Sequence, residues 1–415
     1  MNVTSRIPER RQAAAGSPED AAAPRTRVGK PRRAAPADAV RPTRAEINLE
    51  ALRHNLFVVK RHAGKARTWA VLKADGYGHG APAVARTLER AGADAFCVAL
   101  LEEGIELRDA GVVAPILVMG GYYGTAHAEL MARRLTPVVY DLAQVEGFAR
   151  AVRASDGLDT VSVHLKVDTG MARLGVPMGE LAAFADRLAN YPEVKVRGLM
   201  THLACADAMT SDETAEQMRR FDEATRTLAE RGVRPEVRHA ANTAALLRGD
   251  ACLDAVRPGV AIFGVAAVPC ASSKGFGLRQ VMRVRTEVVD VRNVPAGAPV
   301  GYGALWRAPR PSRIATIPMG YADGLSRQLS NRGHVLVRGQ RVPIVGAVSM
   351  DMSMIDVTDA PGVAVKDEAV VLGMQEGVLG KGAITVEEVA EHAGTIAWEV
   401  MTSISRRVPR FYREP

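Results

Sequence analysis

Lys73 follows the apolar run Trp69-Ala-Val-Leu72 and precedes a turn carrying Gly76, Gly78 and Gly80. That is an unusual place for a lysine, which normally sits mid-strand on a wet face or in a loop. If the strand Thr68–Leu72 belongs to a parallel sheet or barrel, its carboxyl end is where active sites are built. A partly desolvated amine there sheds its proton near neutral pH and attacks a carbonyl to form a Schiff base. On residue type and place alone a second reading stands beside it, a solvated lysine that caps a strand.

Other polar residues fall at the ends of apolar runs. Lys166, Asp168 and Arg173 lie in Val163-His-Leu-Lys-Val-Asp-Thr-Gly-Met-Ala-Arg-Leu-Gly175, which continues from a strand at 161–167. They can line a site, or form an ordinary Lys/Arg pair beside an aspartate. His202 follows a strand at 194–200. A lone histidine is more often structural, but a strand end favours function. His239-Ala-Ala-Asn-Thr243 and Arg257-Pro-Gly-Val-Ala-Ile-Phe-Gly264 follow two later strands. Backbone N–H groups after the seventh and eighth strands of a barrel commonly hold phosphate. Tyr302 stands between Gly301 and Gly303. By itself that triplet marks a turn with an exposed tyrosine, although the glycines allow an unusual backbone.

The elements that must position these residues follow a βα rhythm. Strands are expected at 68–72, 95–99, 115–119, 136–140, 161–167, 194–200, 236–240 and 254–257. Helical segments fall near 81–91, 101–110, 125–134, 141–153, 177–190, 211–231 and 241–248. Eight strands alternating with helices predict a closed (β/α)8 barrel. An open doubly wound sheet is the alternative, and no Rossmann fingerprint supports it. Thr43–Asn48 reads as a short strand ahead of the barrel, with Asn48 capping a helix that carries Leu49, Leu52, Leu56 and Val59 on one face. From about Gly275 the period changes to two, in Val281–Val291, Arg313–Ile317, Val335–Val337 and Ile355–Val357. A mainly β domain with closing helices near 385–392 and 395–404 is expected.

The chain has 415 residues, 47% of them hydrophobic and 24% charged, as in ordinary globular proteins. Its net charge is +8, and residues 1–42 hold nine Lys/Arg against four Asp/Glu. The body is therefore nearly balanced, and nucleic acid is not an expected partner. Residues 1–42 are rich in Ala, Pro and Arg and lack aromatics, so a disordered basic tail is expected there. The proposed division is the tail, a barrel domain over 43–275 whose first strand (43–48) joins the second domain, and a β domain over 276–415. Cys97, Cys205, Cys252 and Cys270 are scattered with no CxxC. Neither a disulfide framework nor a zinc site follows from them. No apolar run is long enough to span a membrane, and no apolar h-region marks a secretory signal, so a cytoplasmic place is expected.

Ala70-Val-Leu-Lys-Ala-Asp-Gly-Tyr-Gly-His-Gly80 resembles the pyridoxal-phosphate attachment motif of alanine racemases. Val163–Gly175, Thr201–Asp207, the Arg257 stretch, Val348-Ser-Met-Asp-Met352 and Ser405–Arg410 match the family in the same order. The resemblance spans about 43 to 413. It implies a barrel followed by a β domain, and a homodimer that interconverts L- and D-alanine on pyridoxal 5'-phosphate. It makes Lys73 the cofactor lysine and a base, and Tyr302 the opposite base, supplied to the partner's site.

Further roles follow from the same likeness. Arg173 would meet the substrate carboxylate region and the cofactor's phenol oxygen, with Lys166, often carbamylated in the family, holding it. His202 would lie near the pyridine ring, and Arg257 would face its nitrogen. Tyr77, Thr243 (more usually serine), Gly259 and Val260 would bind the phosphate. Met350 would contact the substrate carboxylate through its backbone, with Asp351 ordering that loop. Trp398 departs from the family, where many members have tyrosine; its indole N–H is expected to keep the phosphate contact and its bulk to narrow the pocket toward alanine. The rival readings are a broad-spectrum amino-acid racemase, a fold-related decarboxylase, for which Arg257 is the wrong partner, and a non-catalytic pyridoxal-phosphate-binding protein of cofactor homeostasis, which resembles the barrel alone.

Overall fold

A computed structural model of the chain describes residues 39–123, 126–208, 211–268 and 275–414. The tail expected over 1–42 lies outside the described residues up to position 38, as does Cys270. Arg41 is described, and its guanidinium forks onto the buried Asp323 at 2.7 and 3.0 Å.

Eight parallel strands close into a ring: Arg67–Val71, Ala95–Leu100, Ile116–Gly121, Thr136–Val139, Val161–Asp168, Val194–Met200, Val237–His239 and Ala255–Val256. The last pairs back onto the first, Ala255 opposite Arg67, and the fourth and fifth pair through Val138 and His164. This is the (β/α)8 barrel that the rhythm predicted. The strand Ala95–Leu100 is covered on both faces and reads as a continuous apolar run: Phe96, Cys97 and Val98 are all fully buried. The outer helices each present an apolar stripe. In the helix Leu49–Ala63 it is Leu52, Leu56 and Val59, and Asn48 Oδ1 accepts the Ala51 N–H at 2.8 Å to start the helix.

Ten of the remaining strands build a mostly antiparallel sheet, and Pro299–Val300 pairs with Trp306–Arg307 in a separate ribbon. Arg44–Asn48 belongs to it, antiparallel to Met282–Glu287 and parallel to Arg410–Arg413. Glu46, buried in that strand, takes ion pairs from Arg285 and Arg413 at 2.7 Å each and from Arg283 at 3.1 Å. The alternating stretch Val281–Val291 is not one strand. Met282–Glu287 pairs with Glu368–Gly377, while Asp290–Val294 turns away to pair with Ser312–Ile317. The closing helices are Val386–Ala393 and Ala397–Ser403.

Candidate active site

Lys73 stands just beyond the end of the first barrel strand, half-buried. The chain after it winds left-handed: Ala74, Asp75 and Gly76 have φ of 52, 57 and 61° with ψ of 48, 46 and 45°, and Tyr77 follows at φ 51°. For residues with a Cβ this costs about 1–2 kcal/mol each, so surrounding contacts must hold it. Glu103 Oε1 accepts the Ala74 N–H at 2.6 Å, while its other oxygen accepts those of Ala99 and Leu100 at 2.8 and 3.1 Å. Asp75 Oδ1 accepts the Ala81 N–H at 2.9 Å. His79 Nδ1 donates to the carbonyls of Gly76 and Tyr77 at 3.0 and 2.9 Å. Gly78, at φ 79°, lies against the helix Ala397–Ser403, and a Cβ added there would sit 2.3 Å from the Met401 carbonyl oxygen. Trp398, half-buried on that helix, is thereby carried beside the lysine turn. Burial first, then the charge of Arg173, lowers the Lys73 pKa from its usual 10.5, with Glu103 opposing.

The fifth strand ends in Lys166 and Asp168. Lys166 is buried, and burial with the charges of Arg173 and Arg257 pushes its pKa down to about 8. Asp168 Oδ1 gathers the N–H groups of Gly170, Met171 and Ala172 at 3.0, 2.9 and 3.2 Å. That carboxylate folds the loop so that Arg173 is presented at its exposed tip.

Arg257, after the eighth strand, is buried, and its pKa falls to about 10 through desolvation. Its Nη2 donates to the carbonyls of Thr201 and Ala240 at 2.8 and 3.0 Å and reaches His202 Nδ1 at 3.4 Å. Its Nη1 donates to His239 Nδ1 at 2.6 Å. A guanidinium can only donate, so His239 Nδ1 is bare, and its Nε2–H donates to His164 Nδ1 at 2.8 Å. Both rings are neutral: burial and Arg257 push His164 down to about 4 and His239 well below the usual 6.5. Gly198 makes room for this pair, since a Cβ there would lie 2.3 Å from the His164 ring. His202 is also neutral, lowered to about 3 by burial and then by Arg257, Arg173, Lys166 and Lys73.

A backbone cradle completes the pole. Thr243 Oγ1 accepts the N–H of Gly259 at 3.0 Å and that of Ala261 at 3.5 Å. Its own proton is left to donate. Gly259 precedes the single turn Val260–Phe263, and a Cβ on it would lie 2.4 Å from the Tyr77 hydroxyl. Tyr77 is buried on Phe263, ring centres 5.3 Å apart, and burial pushes its pKa up. The pole thus gathers Lys73, Lys166, Arg173 and Arg257, while its carboxylates Glu103 and Asp168 are engaged by backbone N–H groups. It suits an anion.

Tyr302, Met350 and Asp351 lie on the β domain. Tyr302 is 74% exposed and Met350 52%. Gly301 and Gly303, at φ 74 and 70°, fold the backbone so that the tyrosine projects. Among the described residues no hydrogen bond or ion pair joins Tyr302 to the barrel pole. Asn331 supports both segments, donating to the Leu305 carbonyl at 3.1 Å and accepting the Gly346 N–H at 2.7 Å. Asp351 pairs with Arg407 at 2.7 Å.

Three residues with positioning contacts escape a reading of the sequence. Glu103 and His79 hold the lysine turn. Gln217 joins two strand-end loops, donating to Thr169 Oγ1 at 3.3 Å and the His202 carbonyl at 3.1 Å and accepting the Ala204 N–H at 2.8 Å. A signal for it exists: Gln217 shares a helix face with Phe221, Ala224 and Leu228, and a polar residue in such a stripe needs partners.

A closed parallel barrel with a desolvated amine and an anion cradle at its carboxyl pole defines an enzyme scaffold. The chain belongs to the alanine racemase family. Residues 47–267 match the family's "Alanine racemase, N-terminal domain" and residues 281–412 its "Alanine racemase, C-terminal domain". It is 60% identical over 383 residues to the alanine racemase of Sorangium cellulosum, covering 91% of this chain and all of that one. The alanine racemase of D-cycloserine-producing Streptomyces lavendulae superposes with a TM-score of 0.85 at 33% identity, covering 91% of this chain and 98% of that one. That of Streptomyces coelicolor A3(2) gives 0.83 at 38% identity, covering 91% and 99%. Among the described residues no helix is long and apolar enough to cross a membrane.

Proposed function

We propose that this chain interconverts L- and D-alanine with pyridoxal 5'-phosphate held at the barrel pole, using Lys73 and Tyr302 as its two bases. The observation that carries the reading is the half-buried Lys73 amine, lowered in pKa, on a strained turn that also brings Tyr77 to the Gly259 cradle. The residues present fit that cofactor. The cradle of Thr243, Gly259, Val260 and Tyr77 suits a phosphate, and Lys73 is placed to hold an aldehyde. When bound, the cofactor supplies the electron sink that makes an amino acid's α-proton acidic.

The chain's own residues do the rest. Lys73 Nζ takes or returns the proton on one face. Tyr302 Oη serves the other face, and its exposure and separation from its own pole support delivery to a partner subunit in a homodimer with shared sites. Arg173 binds the substrate carboxylate region, with Lys166 behind it. The neutral fraction of Lys166, favoured by its pKa of about 8, is open to carbamylation, which would set an anion against Arg173 and Arg257. Arg257 stays cationic; two carbonyls and His239 take three of its five donor protons, and the N–H groups that remain can donate but cannot accept a ring proton, which discourages side reactions. His202 lies beside Arg257, Met350 offers its backbone to the substrate, and Asp351 holds that loop through Arg407. Trp398 borders the pocket from the helix packed on the lysine turn. The product serves wall synthesis or the enzyme serves alanine breakdown. The free thiols of Cys97, Cys205 and Cys252 suit the reducing cytoplasm.

The test is to incubate the purified chain with L-alanine, follow D-alanine, and treat a second sample with borohydride before peptide mass analysis. D-Alanine together with cofactor mass fixed on Lys73 is the expected result. Racemisation with the mass on another lysine, or no D-alanine, refutes the assignment.

A further inference from the structure

His334 opens the strand His334–Val337 of the β domain, and Glu388 and His392 lie one turn apart on the helix Val386–Ala393. Residues spaced by four share a helix face, and this face is turned to His334. One ligand atom from each of the three lies within 4.8 Å of the other two. The two imidazole rings are 5.7 Å apart at 50°. Together they line a cavity of about 10 Å³, room for one water-sized body. Aliphatic side chains, among them Leu329, Val371 and Ile384, close the remaining walls. His334 Nδ1 is buried there without a hydrogen-bond partner among the described residues.

We propose that His334, Glu388 and His392 form a binding site for a single divalent transition ion of the zinc class. Two imidazoles and a carboxylate with an open fourth position are a donor set for such an ion, whereas Mg²⁺ and Ca²⁺ take oxygen cages. Bond lengths of about 2.0–2.1 Å need only small side-chain rotations from the present separations. Arg341 forks onto Glu388, with one contact at 3.1 Å, and competes with the ion without using up the carboxylate's lone pairs.

The position gives the site a structural consequence. Ser330 and Asn331, just before His334, support the backbone at Val348, Leu305 and Gly346. The helix bearing Glu388 and His392 leads directly into the helix of Trp398. An ion therefore braces the supports of Tyr302 and Met350 against the element beside the Lys73 turn.

The experiment is calorimetric titration of zinc chloride into the purified full chain after treatment with EDTA and desalting. One ion per chain is expected to bind. His334→Asn and His392→Asn should each weaken binding at least tenfold, and Glu388→Gln several-fold. The absence of a one-per-chain event in the unaltered chain overturns the proposal, as does undiminished binding by both histidine variants. Should the histidine variants fail to fold, Glu388→Gln, on a helix face that is partly exposed, decides: undiminished affinity refutes the site.

Discussion

A site that must hold an anion and move protons needs groups that are charged or neutral by design, and here burial sets which. Four histidines close to the lysine turn and Arg257, His79, His164, His202 and His239, are held neutral, at about 3, about 4, about 3 and well below 6.5 respectively. An unfolded chain binds protons at these rings that the folded chain refuses. Stability is therefore fully present above pH ~6.5 and is lost as pH falls through that value toward 4. Urea unfolding at pH 7.5, 6 and 5 should show a loss on the order of 1 kcal/mol per histidine per pH unit below 6.5; a flat profile contradicts the neutral assignments. Trp398 yields a second expectation. Trp398→Tyr should raise serine turnover about tenfold and change the cofactor's Kd; if both stay put, Trp398 neither borders the pocket nor touches the phosphate. At this scale the sequence was partly legible. The strand-end lysine and its glycines stand out because their types are wrong for a surface strand. Glu103 shows in the sequence only as a glutamate in the first turn of its own helix, where it takes the Ala99 and Leu100 N–H groups; its bond to Ala74, in another βα unit, leaves no local trace.

Among the elements, the barrel is legible and the β domain less so. The early barrel strands are short apolar runs set between helical periods, whereas Val194–Met200 and Val237–His239 carry charged residues and are read from the βα rhythm around them. In the β domain, partners decide. Val281–Val291 follows period two on either side of the adjacent Val288 and Val289, and its two halves pair with different strands. The hairpin Glu368–Gly377 with Gly380–Ile384 is interrupted by Gly373, Gly377 and Gly380, which blur its alternation. The left-handed turn after Lys73 is likewise invisible in sequence beyond its glycines, because Ala74 and Asp75 adopt it only under tertiary contacts. That turn depends on the helix Ala397–Ser403. Gly78→Ala should introduce both a disfavoured positive φ and a clash with the Met401 carbonyl, destabilising the fold by about 2–3 kcal/mol and weakening cofactor retention. Denaturant unfolding with a cofactor absorbance assay checks it, and unaltered stability with full retention contradicts the packing argument.

At the scale of the whole molecule, the two residues proposed as bases stand on different domains. Lys73 is half-buried at the barrel pole, and Tyr302 is 74% exposed on the β domain. Sequence places both residues on their elements but cannot say which pole a given tyrosine serves, since that depends on a second copy. Mixing two inactive variants addresses this directly. Lys73→Ala lacks the amine, and Tyr302→Phe lacks the phenol hydroxyl; on the proposed roles each alone should fall by at least about 10²-fold in turnover. Unfolded and refolded together, half of the randomly formed pairs contain one variant of each kind. Such a pair has one site with both residues intact, so roughly a quarter of the original turnover should return. Recovery to that level is the result expected for sites built from two chains. No recovery, with mixed dimers shown to form, would mean that Lys73 and Tyr302 do not meet across an interface, and the two-base account would fail.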